Sequence, residues 1–200
     1  MPNGTPVTRF DFENEDLGKW KILKGRWAVE EIPDAPSGKR ALVQRADQNA
    51  FNVILTPAGA FYKVAIDISV KFKPLSGKED ASGGIVFRFA EGKYYVLRAD
   101  TLEGNLRLYY YDGDKWQMRV EATVQHPALQ TWHTIRVVDV GDQIQGWFDD
   151  RLLIDYEAMR SLVRTEERLE SGEVGLWTKA DSITAFDDLT IRGFRAVRSE

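Results

Sequence analysis

The stretch that decides the fold lies near the C-terminus, where residues 172–192 read GEVGLWTKADSITAFDDLTIR. Side chains alternate between the two faces of an extended chain, so Val174 and Leu176 share one face while Gly175 and Trp177 share the other. Residues 179–182 supply a polar loop, and a second alternating run follows. The stretch is therefore predicted to be two strands. An aromatic and acidic segment at Arg9–Glu13 has a similar composition, and we expect the two ends of the chain to meet.

The same alternation recurs along the chain and predicts an all-β protein. Every second position from Val64 to Phe72 is apolar, and no helix has that period. About a dozen such segments, separated by turn signals such as Asp112-Gly-Asp114 every ~8–12 residues, are typical of an antiparallel two-sheet sandwich or a barrel. One short helical insertion is predicted at residues 157–170, where apolar side chains have helical spacing.

Composition and organisation favour a single domain. The chain has 200 residues, of which 43% are hydrophobic and 12% aromatic, enough for one β-sandwich core. Residues 1–8 contain two prolines and a glycine and are predicted to be a flexible arm. Residues 9–195 form the predicted domain, because no internal repeat or linker divides them.

Charge and cysteine content exclude several classes of function. The net charge is −4 and the basic residues are scattered, which argues against nucleic-acid binding. Without cysteine there is no disulfide, thiolate metal site or cysteine nucleophile. No run approaches the ~18 apolar residues of a membrane span. The first residues lack the apolar segment of a signal peptide, and the residues alone do not assign a cellular compartment. They do not assign an oligomeric state either.

A set of short motifs occurs in a fixed order along the chain. The motifs are Phe10-Asp-Phe-Glu13, Gly25-Arg-Trp27, Ser82-Gly-Gly-Ile-Val-Phe-Arg88, Tyr94-Tyr-Val-Leu-Arg98, Asn105-Leu-Arg-Leu108, Trp132-His133, Val174-Gly-Leu-Trp-Thr-Lys-Ala-Asp-Ser182 and Phe186-Asp-Asp188. With these motifs the chain resembles the concanavalin A-like, laminin G-like jelly rolls, in particular bacterial 3-keto-disaccharide hydrolase or family-16-like glycoside hydrolase domains. The resemblance implies two antiparallel sheets, one of them concave, together with sugar-related roles and a secreted or periplasmic location.

One face of the predicted sandwich carries aromatic and arginine side chains. Sugars bind flat aromatic rings through their C–H faces and planar donors through their hydroxyls. If Ile85, Leu106 and Val174 face the core, alternation places a set of such side chains on the opposite face, which a jelly roll would make a groove. Alternatively, the insertion covers these rings and the arginines stack on them. The predicted ligand-binding residues are Arg88, Tyr94, Arg98, Arg107, Tyr109, Gln145, Trp147 and Trp177.

Four carboxylates near the paired ends are candidates for a structural calcium site. Asp11, Glu13, Asp187 and Asp188 offer the hard oxygen ligands that calcium takes in sets of six to eight. Related jelly rolls sometimes hold such an ion. The alternative is that Asp187 and Asp188 point to opposite faces and one of them hydrogen-bonds backbone at a strand end.

The sequence shows no clear catalytic constellation. The chain lacks the Glu-x-Asp-x-x-Glu strand motif of true family 16 glycosidases, whose retaining mechanism needs two facing carboxylates. Asp100 and Asp149, at strand ends, are the remaining acid candidates. We therefore predict a carbohydrate-recognising domain that binds an oligo- or polysaccharide without its own catalysis. Whether it is an enzyme stays open, with a keto-sugar or glycoside hydrolase as the first alternative and a laminin G-type protein-interaction domain as the second.

Overall fold

A computed structural model describes residues 7–47, 50–57, 62–63, 65–125, 128–157, 169 and 171–193. Those ranges contain strands, their connections and one 3-10 turn at Leu17–Lys19, which Asp16 caps by accepting the Gly18 N–H at 2.9 Å. Most of the helix predicted at 157–170 lies outside the described residues; of the two positions described, Glu157 is the last residue of a strand and Leu169 has no assigned secondary structure. Within the described ranges, no helix has the length and hydrophobicity needed to cross a membrane.

The strands form two antiparallel sheets that make a sandwich, as predicted. The back sheet comprises β1 (Val7–Phe10), β3 (Trp27–Glu31), β4 (Arg40–Gln44), β7 (Ile66–Ser76), β12 (His133–Val140), β13 (Gln143–Phe148), β14 (Arg151–Glu157) and β16 (Ile183–Gly193). Its order is β14-β13-β12-β7-β16-β4-β3, with β1 beside β16.

The front sheet carries the candidate site. It comprises β2 (Lys21–Lys24), β5 (Phe51–Leu55), β6 (Tyr62–Lys63), β8 (Ser82–Ala90), β9 (Lys93–Asp100), β10 (Asn105–Tyr111), β11 (Trp116–Thr123) and β15 (Ser171–Lys179). Its order is β11-β10-β9-β8-β15-β5-β2, with β6 beside β15. Most neighbouring strands are thus joined by non-local connections, as in a jelly roll.

The core lies between the inner faces of the two sheets. Ile68 and Val70 from the back sheet and Leu97 and Leu108 from the front sheet are fully buried in one continuous cluster. Each such side chain contributes about 1.5–3 kcal/mol relative to an exposed position. The period-two pattern of β7 is what places its apolar positions on this face, so the alternation read from the sequence is confirmed there.

The two ends of the chain meet, as expected from their composition. β1 pairs antiparallel with β16, with Thr8 opposite Ile191 and Phe10 opposite Leu189. Val7 and Thr8, which were assigned to the flexible arm, therefore belong to a strand. The pairing makes the C-terminal strand a central element, because β16 also pairs with β4 and β7.

A bulge in β8 changes which side chains reach the outer face. The β8–β9 register shifts between Phe87 and Ala90, and Arg88 has a φ of 53°, in the left-handed region that few non-glycine residues adopt. After the bulge, Phe89 joins the outer-face cluster instead of the core, and Arg88 turns inward. The sequence-based prediction placed Arg88 on the outer face, and this was wrong.

Arg88 is instead a buried link between the sheets. Its guanidinium contacts the Asp139 carboxylate at 2.7 and 2.5 Å, and it donates to the carbonyl oxygens of Gly141 and Leu169, each at 2.8 Å. Burial raises the pKa of Asp139, and Arg88 opposes that rise. Through these hydrogen bonds, Arg88 holds the β12–β13 turn and the chain before β15 against the end of the core.

Candidate ligand-binding site

The front sheet curls so that its outer face is concave. Five strand spacings separate β5 from β11, which is roughly 24 Å on a flat sheet. The rings of Phe51 on β5 and Trp116 on β11 nevertheless lie only 4.5 Å apart, centroid to centroid. Two aromatic side chains cannot bridge the flat distance, so the sheet must bend around this face. The groove expected from the jelly-roll resemblance is present.

A row of paired residues crosses the floor of this groove. Arg107 lies opposite Arg98, Arg98 opposite Gly84, and Gly84 opposite Trp177. A Cβ on Gly84 would lie 3.3 Å from Cε3 of Trp177 and 3.0 Å from Cγ2 of Val96, so the indole can occupy its position because Gly84 has no side chain. The missing side chain also leaves space between Trp177 and Arg98.

A cavity of about 180 Å³ on this face is lined by both Trp177 and Arg98. Trp177 forms its base and is only 1% exposed. Phe51 stacks on Trp177 with ring centroids 5.6 Å apart, and Trp116 meets Trp177 edge-on at 5.7 Å. The lining residues are Phe51, Arg98, Tyr109, Trp116, Trp177 and Lys179.

Trp116 is the centre of the aromatic side of the cavity. It stacks on Tyr111 with centroids 4.7 Å apart and meets Tyr94 and Tyr109 edge-on at 5.6 and 5.9 Å. Tyr94 is buried in this packing, and the burial raises the pKa of its hydroxyl. We call the set of rings the aromatic wall; it comprises Phe51, Tyr94, Tyr109, Tyr111, Trp116 and Trp177.

The remaining lining residues of the cavity, Arg98 and Lys179, are cations. The Arg98 guanidinium contacts Asp80 at 2.8 Å, Glu103 at 3.1 Å and also Asp100. Lys179 contacts Asp80 at 3.2 Å. We call these five residues the charged block. Asp80 and Asp100 are at most 1% exposed, so Arg98 and Lys179 separate their carboxylates from the cavity.

Backbone hydrogen bonds hold the charged block in place. Asp181, in the turn after β15, accepts the backbone N–H groups of Lys78, Glu79 and Asp80 at 2.6, 3.1 and 3.0 Å. Burial opposes ionisation of Asp181, but these three donors prevail and lower its pKa. The Ser182 hydroxyl also donates to Asp80 at 3.0 Å. These hydrogen bonds hold the loop before β8 against the turn after β15, and they position Asp80 to contact Arg98.

The two buried carboxylates of the block have opposite pKa shifts. Burial raises the pKa of Asp80, and the neighbouring Asp100 raises it further against the effect of Arg98. Burial acts on Asp100 too, but Arg98 and the backbone N–H groups of Leu102 and Glu103 outweigh it and lower its pKa. Asp80 is therefore the member of the pair that holds a proton to higher pH.

Three donors beside the cavity have no acceptor among the described residues. The Nε of Arg98 and the Nε1 atoms of Trp116 and Trp177 are buried without a hydrogen-bond partner. A buried unpaired N–H costs roughly 1–3 kcal/mol, and such atoms in native structures commonly mark a bound water or ligand. All three residues line the same cavity.

Five of the eight residues predicted to bind ligand lie on this concave face. Arg98, Tyr109 and Trp177 line the cavity, and Tyr94 belongs to the aromatic wall. Arg107 lies at the edge, where it pairs with Glu103 and donates to the Tyr109 hydroxyl at 3.3 Å. The sequence-based choice of this face therefore brought together residues that the structure also places together.

The other three predicted residues lie elsewhere. Arg88 faces the interior because of the β8 bulge. Gln145 and Trp147 are on β13 in the back sheet, where the Arg136 guanidinium lies 5.3 Å from the Trp147 ring centroid. Alternation correctly sends Gln145 and Trp147 away from the core, but it does not tell which of the two outer faces they occupy.

Seven residues of the aromatic wall and the charged block were not among the predicted ligand-binding residues: Phe51, Asp80, Asp100, Glu103, Tyr111, Trp116 and Lys179. Lys179 follows Trp177 by two positions, so alternation indicates a shared face, although the sequence places it at the start of a polar loop. Phe51 similarly begins an alternating strand. Trp116 and Asp80 gave no usable signal, because their positions depend on the curl of the sheet and on the Asp181 contacts.

The carboxylates proposed for calcium do not converge in this structure. Asp187 is buried and accepts the Ser37 N–H and hydroxyl at 2.9 and 2.5 Å, while Asp188 contacts Arg9 at 2.5 Å and Lys71 at 2.9 Å. The alternative interpretation, in which one of the pair hydrogen-bonds backbone, matches Asp187.

The other two members of that set are also engaged locally. One Glu13 oxygen accepts the backbone N–H groups of Lys39 and Arg40, both at 2.8 Å, and Asp11 accepts the Glu13 N–H at 3.2 Å. No group of three or more candidate metal-binding side chains occurs within the described ranges. The four carboxylates do not form a shared set of calcium ligands in this structure, and calcium binding stays a prediction.

Asp149, the second acid candidate, has a structural set of contacts. It accepts the Thr134 N–H at 2.8 Å and lies 2.8 Å from Nδ1 of His133. His133 Nε2 accepts the Ala128 N–H at 3.2 Å, so Nδ1 carries the proton and donates to Asp149. Both ring nitrogens are thus used. Asp149 borders a cavity of about 270 Å³ at the β13–β14 turn, remote from the aromatic wall.

The fold and the cavity define a jelly-roll β-sandwich with a small cavity on its concave sheet. The chain belongs to the family of 3-keto-α-glucoside-1,2-lyase-like domains, whose sequence profile matches residues 8–192. This confirms the resemblance drawn from the motifs. No curated protein matches the chain significantly.

Several solved structures share the fold. The carbohydrate-binding module CBM66 from Bacillus subtilis is 17% identical with a TM-score of 0.70, over 88% of this chain and 96% of the module. The apo Crh5 transglycosylase is 13% identical with a TM-score of 0.65, over 94% and 85% of the two chains. The Emp47p carbohydrate recognition domain is 14% identical with a TM-score of 0.60, over 91% and 92%. Identities this low establish a shared fold alone.

Proposed function

We propose that this domain binds a saccharide in the cavity between the aromatic wall and the charged block. The carrying observation is the lining of the cavity, which combines the rings of Phe51, Tyr109 and Trp116 with the cations Arg98 and Lys179. A sugar ring matches this lining, because its C–H face packs on aromatic rings while its oxygens accept from N–H donors. A carbohydrate-binding module and a carbohydrate recognition domain among the structural neighbours support the same function.

The size of the cavity favours a small ligand over a protein partner. Drug-sized ligands occupy pockets of roughly 300–1,000 Å³, whereas this cavity measures about 180 Å³. We infer that it receives one sugar ring, with any further residues of an oligosaccharide lying outside it along the groove. A protein-interaction domain would instead need an extended surface, typically about 800 Å² on each partner.

The test compares two tryptophan variants. Trp116→Ala removes a ring that lines the cavity, and we expect at least a tenfold loss of oligosaccharide affinity, about 1.4 kcal/mol. Trp147→Ala removes a half-buried ring from the back sheet and should leave affinity unchanged. Glycan arrays would find a ligand and isothermal titration would measure its affinity, with circular dichroism to verify folding.

A third variant covers the case in which Trp116→Ala does not fold. Lys179→Met removes a half-exposed cavity cation while keeping an unbranched side chain, and it should also weaken binding. Equal affinity of wild type and both cavity variants, or a loss only in Trp147→Ala, would place the binding site elsewhere.

A second candidate function is elimination at a 3-keto-glucoside. One observation favours it beyond the family description: Asp80 and Asp100 lie beside the cavity with opposite pKa shifts, a pattern found in acid–base pairs. A 1,2-elimination removes a proton from the carbon next to the ketone and expels the substituent at C1. Since Arg98 and Lys179 cover both carboxylates, they would have to move aside for either to reach a substrate.

That candidate is tested by release of a chromophore from a nitrophenyl 3-keto-glucoside. Release that falls in Asp80→Asn but persists in Glu31→Gln, which removes an exposed back-sheet carboxylate, would support catalysis. Binding of saccharides without any release from the keto-glucoside would leave recognition as the function.

A further inference from the structure

The charged block has no uncompensated positive charge. Arg98 and Lys179 face the three carboxylates of Asp80, Asp100 and Glu103, so the block carries one more negative charge than positive. The next neighbours do not change this balance, because the cation Arg107 is matched by Glu121, outside the block. Even if Asp80 holds a proton, the block is neutral rather than cationic.

The unpaired N–H donors of the cavity therefore add no uncompensated positive charge. Arg98 has all its short contacts to carboxylates through its terminal nitrogens, and its Nε–H remains without an acceptor among the described residues. The indole N–H groups of Trp116 and Trp177, which carry no charge, are the other two such donors. Neutral oxygens, such as hydroxyl, ring or carbonyl oxygens, satisfy donors of this kind.

An added carboxylate would lie in an unfavourable environment. Asp80 and Asp100 are at most 1% exposed, so solvent screens their charges poorly. A ligand carboxylate at the Arg98 end would be a fourth anion beside two cations that already have partners. It would lose its own hydration without gaining an unpaired cation, which costs binding free energy.

We propose that the cavity selects uncharged sugars, held by acceptor oxygens at the Nε–H of Arg98 and the ammonium group of Lys179, and that it discriminates against uronic acids. This selectivity rests on the proposed saccharide binding at the same cavity. It identifies Glu103 as a specificity-determining residue, since it is the exposed carboxylate of the block and contacts Arg98 at 3.1 Å.

The experiment uses matched pairs of ligands that differ only at C6. Methyl glucoside against methyl glucuronide, and methyl galactoside against methyl galacturonide, would be titrated at pH 7 and low salt. We expect the uronide of a bound pair to bind at least about tenfold more weakly. In Glu103→Gln the ratio of the uronide Kd to the neutral-sugar Kd should fall several-fold, because one negative charge is removed from the block. The control Glu31→Gln removes the same charge from an exposed position on the back sheet and should keep the ratio.

The outcomes separate this inference from the proposed function. If no neutral sugar in the monosaccharide pairs or on the glycan array binds, or if binding survives Trp116→Ala and Lys179→Met, saccharide binding at this cavity is wrong. If neutral sugars bind there but the uronides bind equally or more tightly, the saccharide site stands and the charge selectivity is overturned. A ratio that changes as much in Glu31→Gln as in Glu103→Gln would also overturn it.

Discussion

Replacing Arg98 by methionine tests whether this residue holds the front sheet together as well as the ligand site. The substitution keeps much of the apolar stem and removes a guanidinium that is 1% exposed. Asp80 and Asp100 would remain buried without their main cation. Removing one partner of a buried ion pair costs about 3–5 kcal/mol, a large part of the 5–15 kcal/mol by which proteins are usually stable.

The loss should depend on pH with a definite sign. Without Arg98, burial would raise the folded-state pKa of both carboxylates above the ordinary value of about 3.9. A carboxyl group with a raised folded-state pKa costs stability when pH exceeds its unfolded-state pKa, and costs nothing where both states are protonated. The difference in unfolding free energy between wild type and Arg98→Met is therefore largest at pH 7 and shrinks towards pH 4.

Urea unfolding followed by tryptophan fluorescence at pH 7 and pH 4.5 measures the loss of unfolding free energy and its dependence on pH. In a thermal scan at pH 7, the melting temperature should fall by about 6–20 °C, since a chain of this size loses about 2–4 °C per kcal/mol. Arg107→Met is the matched control: Arg107 pairs with Glu103 and Glu121 nearer the surface, so at most about 1 kcal/mol is expected. A loss below about 1 kcal/mol for Arg98→Met, or an equal loss at both pH values, would refute the argument.

Three further results are expected. Arg88→Met should lose about 3–5 kcal/mol in urea unfolding, because Asp139 is left buried and unpaired, while sugar affinity is unchanged; a weaker affinity in a folded variant would contradict its interior placement. Gly84→Val should weaken sugar binding in titration, because its Cβ would lie 3.3 Å from Trp177 and overpacking costs about 1–3 kcal/mol; unaltered binding would show that the indole need not lie where it does. Chelator should leave the melting temperature unchanged, since the Asp187 carboxylate is occupied by Ser37; a drop that added calcium reverses would establish the ion.

The sequence was most informative where one local period governed a whole strand. β7 and β10 bury the alternate apolar positions that their patterns indicated, because burial of one face sets the register of a strand. β15 buries Val174 and Leu176 as indicated, but its other face is buried as well. The same period-two alternation placed five of the predicted residues on the concave face, namely Tyr94, Arg98, Arg107, Tyr109 and Trp177. Local periodicity thus predicted which side chains leave the core.

Periodicity failed where the outcome depended on contacts between distant strands. Arg88 is reversed by a bulge that no alternation pattern announces, and its inward position is stabilised by Asp139, 51 residues away. Trp147 lies outside the core as predicted, but only strand order shows that it belongs to the back sheet. Trp116 joins the site because the sheet curls across five strands, a property of the assembled fold.

The position of the charged block bears on whether the proposed sugar site could hydrolyse its ligand. Two carboxylates beside such a site resemble a glycosidase pair, yet retaining and inverting enzymes need carboxyl groups about 5–9.5 Å apart and both facing the substrate. Here Asp80 and Asp100 contact the same Arg98 nitrogen, and of the charged block only Arg98 and Lys179 line the cavity. In this arrangement the two carboxylates neutralise and orient Arg98, whose Nε–H has no acceptor among the described residues. The same contacts that stabilise the front sheet therefore give the proposed site a donor-lined end without spare positive charge.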